Sequence, residues 1–112
     1  MRGAVRQNKG VVFMDSKSAL KYGQTYADEV KKRFSAAKVF MYGSHIYGKP
    51  TDESDIDIAV IFNGFNGDWL KTSSDLWEIT ENVNTTIEPV LLDMARDKSG
   101  FAHHIMQTGV EL

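Results

Sequence analysis

Two aspartates, Asp55 and Asp57, stand in the segment Ser54-Asp55-Ile56-Asp57-Ile58-Ala59-Val60. On a strand, side chains two apart leave the same face, roughly 7 Å from each other along the chain. Two carboxylates so placed are hard oxygen ligands that can converge on a divalent cation. A strand with one solvent face can also carry two aspartates without any function. Here the neighbours are strongly apolar and predict a central strand, where unpartnered carboxylates are costly. Gly43 and Ser44 precede this pair, with Ser44 eleven residues before Asp55. A glycine at that point lets backbone approach a ligand closely. The Ser44 hydroxyl and the free N–H groups of the following turn suit a phosphate. A Gly-Ser pair alone usually just turns a chain. Beside the carboxylate pair it gains a purpose: one element grips phosphate oxygens and the other holds the metal that bridges them.

The elements that must position these groups can be read from periodicity. Ser16 is the expected N-cap of a helix over about residues 17–34, where Ala19, Tyr22, Tyr26, Ala27, Val30 and Phe34 recur at helical spacing. Lys31, Lys32 and Arg33 complement its C-terminus, and Gly23 is an awkward interior residue. Residues 38–42 predict a short strand closed by Gly43, and residues 44–54 a turn and loop that opens with one helical turn. Residues 55–62 alternate: Ile56, Ile58, Val60 and Phe62 point to one face, Asp55, Asp57, Ala59 and Ile61 to the other. Asp68 caps a helix with Trp69, Leu76, Trp77, Thr80 and Val83 inward. Residues 85–93 form a third strand whose Pro89 suits a sheet edge or a strand end, and Asp93 caps the segment after it. A last helix over about residues 98–107 carries Phe101, Ala102, Ile105 and Met106 as its apolar stripe, with Gly109 just past its end. The fold class is α/β in the broad sense (α+β): a small mixed sheet of three or more strands with helices packed on it.

Composition bounds the function. At 112 residues and 42% hydrophobic, the chain fits one small globular domain. We expect a loose leader over residues 1–15 and a single domain over residues 16–112. The absence of cysteine excludes disulfides, thiolate metal sites and a cysteine nucleophile, and is compatible with a cytoplasmic home. The longest clean apolar run, residues 58–62, is far too short to span a membrane. Charge is divided: residues 1–49 carry ten Lys/Arg and three Asp/Glu, a balance of +7, and residues 50–112 carry three Lys/Arg and twelve Asp/Glu, a balance of −9. His103 and His104 are helix neighbours that point about 100° apart, so they do not chelate one ion and belong to the helix surface or partial core. His45 lies in the phosphate turn, within reach of a nucleotide or facing solvent.

Together, Gly43-Ser44, Gly48 and Ser54-Asp55-Ile56-Asp57 resemble the hallmark of the minimal nucleotidyltransferases, small members of the DNA polymerase β-like superfamily. The resemblance covers about residues 18–112 and implies the nucleotidyltransferase fold. Glu88, in Ile87-Glu88-Pro89-Val90, fits the place of the family's third carboxylate, where aspartate is more usual in small members. Tyr47 stands where a basic residue is common, and Lys49 is its candidate replacement. The resemblance implies Asp55, Asp57 and Glu88 as catalytic and metal-binding residues. Gly43, Ser44, Lys49 and Ser54 are implied to hold the nucleotide. It further implies two Mg²⁺ ions and ATP as substrate, with AMP passed to a hydroxyl. Stand-alone domains of this kind resemble the antitoxin of HEPN/MNT toxin–antitoxin pairs, so a HEPN-type toxin is the expected protein partner. No membrane and no direct nucleic-acid binding is expected. The alternatives are a binding protein that neutralises a toxin by contact with weak or no catalysis, and a small-molecule, aminoglycoside-like nucleotidyltransferase.

Overall fold

The computed structural model describes residues 16–47 and 55–112. The expected leader over residues 1–15 lies outside the described residues, as do Gly48, Lys49 and Ser54. Helix α1 (Ser16–Arg33) leads into strand β1 (Lys38–Tyr42), a single turn α2 (Ser44–Tyr47) and strand β2 (Ile56–Phe62). Helix α3 (Trp69–Thr80), strand β3 (Ile87–Asp93), a 3₁₀ turn (Met94–Arg96), helix α4 (Phe101–Thr108) and a short strand β4 (Val110–Glu111) complete the chain. Sheet order is β3-β2-β1-β4, with β2 parallel to β3 and antiparallel to β1, and β4 antiparallel to β1. The expected mixed sheet with packed helices is therefore present. Strand β4 goes beyond that expectation: two residues give no readable period, and only pairing with Phe40 and Met41 makes them a strand.

Alternation along β2 divides the core in two. Ile56, Ile58 and Val60 enter a cluster with Ala19, Tyr26, Val30, Leu76 and Ile79, so α1 and α3 cover that face. Ala59 and Ile61 enter a second cluster with Phe40, Ala102 and Ile105, so α4 covers the other. Tyr26 ties α1 to α3 by donating its hydroxyl to the Leu76 carbonyl at 2.6 Å. Gly23 has a packing reason: a Cβ there would run into the Met41 Cε and lie 3.3 Å from Leu112 Cδ1. Pro89 sits on the edge strand. Ile56 donates its N–H to the Thr86 carbonyl, and strand alternation then turns the backbone of Pro89 away from β2, where a missing N–H breaks no ladder.

Two expectations about aromatic residues need correction. Trp69 and Trp77 do not lie in the core; they are 39% and 47% exposed. The buried stripe of α3 is Thr72, Leu76, Ile79 and Thr80, and Trp77 falls to its flank. Trp69 starts the helix and meets Phe65 edge-on at 5.2 Å, continuing a chain of rings through Phe62 to Phe34 at 5.0 and 6.3 Å. Phe101, expected in the buried stripe of α4, is also 39% exposed. That helix begins at Phe101, three residues later than expected, because Asp97 takes up the backbone N–H groups of Ala102 and His103, each at 2.9 Å. Asp68 and Asp93 cap as expected, accepting from the Lys71 and Ala95 N–H groups, each at 3.0 Å. Among the described residues no helix is long and apolar enough to cross a membrane.

Candidate active site

The register of the sheet sets Tyr42, Asp57 and Glu88 in one row across β1, β2 and β3. Adjacent strands lie about 4.8 Å apart, so the side chains of such a row on one face are neighbours. This is the face that α4 covers further along. Asp57 is half-buried there, while Asp55, immediately before β2, and Glu88, on the edge strand, are exposed. Asp55 lies close enough to Glu88 for the two carboxyl groups to influence each other. Three acidic side chains thus meet at one end of the sheet.

Their electrostatics are those of crowded like charges. The hydrogen bond with Asp55 pushes the Glu88 carboxyl above the usual glutamate range, helped by the charge of Asp55, desolvation and Asp57. Burial is the main cause that raises Asp57, followed by the charge of Asp55; His45 opposes both. His45 is 5% exposed, so of its two sequence readings the solvent-facing one is excluded. The single turn α2 buries it on the side from which it favours the Asp57 carboxylate.

Gly43 explains how the turn comes so close. Its φ is +86°, a region L-residues with a Cβ avoid, and a Cβ there would overlap the Asp57 Oδ2. The Gly43 carbonyl accepts the Ile46 N–H at 2.9 Å, closing the turn. Ser44 opens α2 and is half-buried. The structure therefore brings together Gly43, Ser44, Asp55, Asp57 and Glu88. Of the other nucleotide contacts implied by resemblance, Lys49 and Ser54 lie outside the described residues. Sequence reasoning did not find Tyr42, which flanks Asp57 and meets Phe101 edge-on at 5.7 Å. No local pattern marks it, because strand register created the contact.

Among the described residues no three His, Asp or Glu side chains are gathered closely enough to hold a metal ion together. Asp55, Asp57 and Glu88 nevertheless offer oxygen donors of the kind a hard divalent cation takes, and such a cation would offset the like charge that helps raise Asp57 and Glu88.

Comparison with known proteins bears on the family and the fold. Residues 24–112 match the family described as Polymerase beta, Nucleotidyltransferase. The chain belongs to that family. A candidate nucleotidyltransferase of Sulfolobus solfataricus is similar in fold, with a TM-score of 0.62 at 22% identity over 86% of this chain and 80% of that one. A second solved candidate nucleotidyltransferase is similar with a TM-score of 0.54 at 19% identity, covering 80% of this chain and 95% of the other. At these identities the likeness establishes the fold. No curated protein matches the chain.

Proposed function

We propose that this domain transfers a nucleoside monophosphate, AMP from ATP, to a hydroxyl on a protein partner, and that the partner is a HEPN-type toxin silenced by the modification. The observation that carries the reading is the meeting of Asp55, Asp57 and Glu88 beside a glycine turn that touches Asp57. Asp55 and Asp57 would hold Mg²⁺, with Glu88 as the third carboxylate beside them. When bound, Mg²⁺ supplies charge neutralisation for an in-line displacement. The Gly43-Ser44 turn positions the phosphates against the carboxylates. Glu88 would help hold a second Mg²⁺ or take the proton of the acceptor hydroxyl. The acceptor oxygen bonds to the α-phosphorus, the bond to the β-phosphate bridging oxygen breaks, and pyrophosphate leaves with that electron pair. Most of the acceleration comes from positioning and charge placement.

Isothermal calorimetry tests the metal and nucleotide assignment. The parent is expected to bind ATP only with Mg²⁺, and the doubly substituted Asp55→Asn, Asp57→Asn variant to lose that dependence while keeping its fold by circular dichroism. Unchanged Mg-ATP binding in the variant would remove the assignment.

A further inference from the structure

Phe101 stands between the row of carboxylates and a cavity of about 500 Å³. Its ring meets that of Tyr42 edge-on at 5.7 Å, and Tyr42 neighbours Asp57 across the sheet. The same residue lines the cavity together with Leu91, Leu92 and Trp69. Phe101 is 39% exposed. The other exposed large apolar residues lie elsewhere: Tyr22, Trp69, Leu70 and Trp77 belong to α1 and α3, and Val110 stands in the register row of Met41, a residue of the opposite core. Among the described residues Phe101 is thus the one large exposed apolar side chain of the carboxylate face. It is also fixed in place. Ser99 Oγ accepts its N–H at 3.3 Å, and Asp97 accepts those of Ala102 and His103, each at 2.9 Å.

Size and charge narrow the occupant. The volume falls within the range of small-ligand pockets, about 300–1,000 Å³. The charged residues of the lining balance, Asp93 and Asp97 against Arg96 and Lys98. Both carboxyls are held ionised by backbone N–H groups, so neither sign is in excess. A balanced lining with a leucine floor and aromatic walls suits a flat uncharged ring better than an ion. Leu92 lies on the strand face of Glu88, four residues on and about 13 Å away at the strand rise. The cavity therefore begins within the reach of a nucleoside whose phosphates sit at the carboxylate row.

We propose that Phe101, steadied by Tyr42 and with Trp69 across the cavity, is the surface on which the nucleobase of the triphosphate packs, and that the domain thereby prefers purine to pyrimidine nucleotides. A purine offers two fused rings of stacking area and a pyrimidine one. The proposal rests on the nucleotide-binding reading above.

Calorimetry of the full chain in Mg²⁺ tests it with ATP, GTP, CTP, UTP and inorganic tripolyphosphate, which carries the phosphates without a base. ATP and GTP are expected to bind at least about five-fold tighter than tripolyphosphate, with CTP and UTP between. Phe101→Ala is expected to remove the advantage of the purines and to leave tripolyphosphate binding unchanged, which also shows that the phosphate site is intact. Phe101→Tyr keeps a ring and is expected to keep the purine preference. Tripolyphosphate that binds the parent as tightly as ATP, or equal binding of purine and pyrimidine nucleotides, overturns the proposal whatever the variants do. So does a purine preference that survives Phe101→Ala. A loss of tripolyphosphate binding in Phe101→Ala, in step with ATP, overturns it too, since the ring would then shape the phosphate site and not hold the base. The two claims fail differently. Tripolyphosphate binding with no effect of the base removes the base surface alone, whereas failure of all these ligands to bind the parent removes the carboxylate reading and the base surface with it.

Discussion

At Asp57, burial and a like charge act in the same direction. Both disfavour the carboxylate, and His45 only partly offsets them. A folded-state pKa raised above the unfolded value means the folded protein binds protons more tightly. The associated stability is fully present below the ordinary aspartate range and is lost as pH rises through the raised value. Glu88 acts with the same sign. The metal-free domain should therefore lose part of its stability as pH rises from the ordinary carboxylate range through the raised values. Asp57→Asn removes the charge without changing shape. It is expected to raise the neutral-pH melting temperature on the order of a few degrees and to flatten that part of the profile. Thermal melts in a chelating buffer across pH check this. A variant that melts below the parent at neutral pH would mean that Asp57 is stabilised by its surroundings. Asp93 and Asp97 behave in the opposite way. Backbone N–H donors hold both carboxyls below the usual range, first Gly64 for Asp93 and first His103 for Asp97. Their contribution is present above the ordinary aspartate range and is lost as pH falls through the lowered values.

Elements carry these residues to one place through connections of very different legibility. Strand β2 can be read from its alternation, and with it the side of the sheet on which Asp57 lies. The N-caps at Asp68 and Asp93 are local and equally readable. What cannot be read is register. Nothing in the sequence near Tyr42 says that it stands opposite Asp57, nor near Glu88 that it stands on the other side. The rotation of α3 is misread for a related reason: Trp77 is apolar, yet geometry favours Thr72 and Ile79 for the buried side. The buried hydroxyl of Tyr26 fixes how α1 sits against α3, and burial pushes its pKa well above the ordinary tyrosine value. Tyr26→Phe deletes one donor and leaves the ring in place. The expected loss is about 0.5–1.5 kcal/mol in urea melts, with an unchanged m-value. A variant as stable as the parent would show that the hydroxyl bond adds nothing to the seating of the two helices.

At the scale of the molecule, the described residues leave one end of the α4-covered face of the sheet open. The charge division then acquires a shape. Of the twelve acidic residues in residues 50–112, Asp55, Asp57 and Glu88 gather at that end, while Asp93 and Asp97 stand beside Arg96 and Lys98 at the other end of β3. Family membership is legible because the Gly-Ser turn and the paired aspartates are a compact local motif. The row of Tyr42, Asp57 and Glu88 is not, since three strands build it. The central claim is that the trio moves a nucleotide onto a protein. The most direct measurement is intact mass spectrometry of a HEPN-type partner incubated with this domain and Mg-ATP. The partner is expected to gain the mass of AMP with the parent domain and to gain nothing with Glu88→Ala, although that variant still binds ATP. A partner that is bound and inhibited by the parent domain yet gains no nucleotide mass would contradict the claim and make the domain a binding protein.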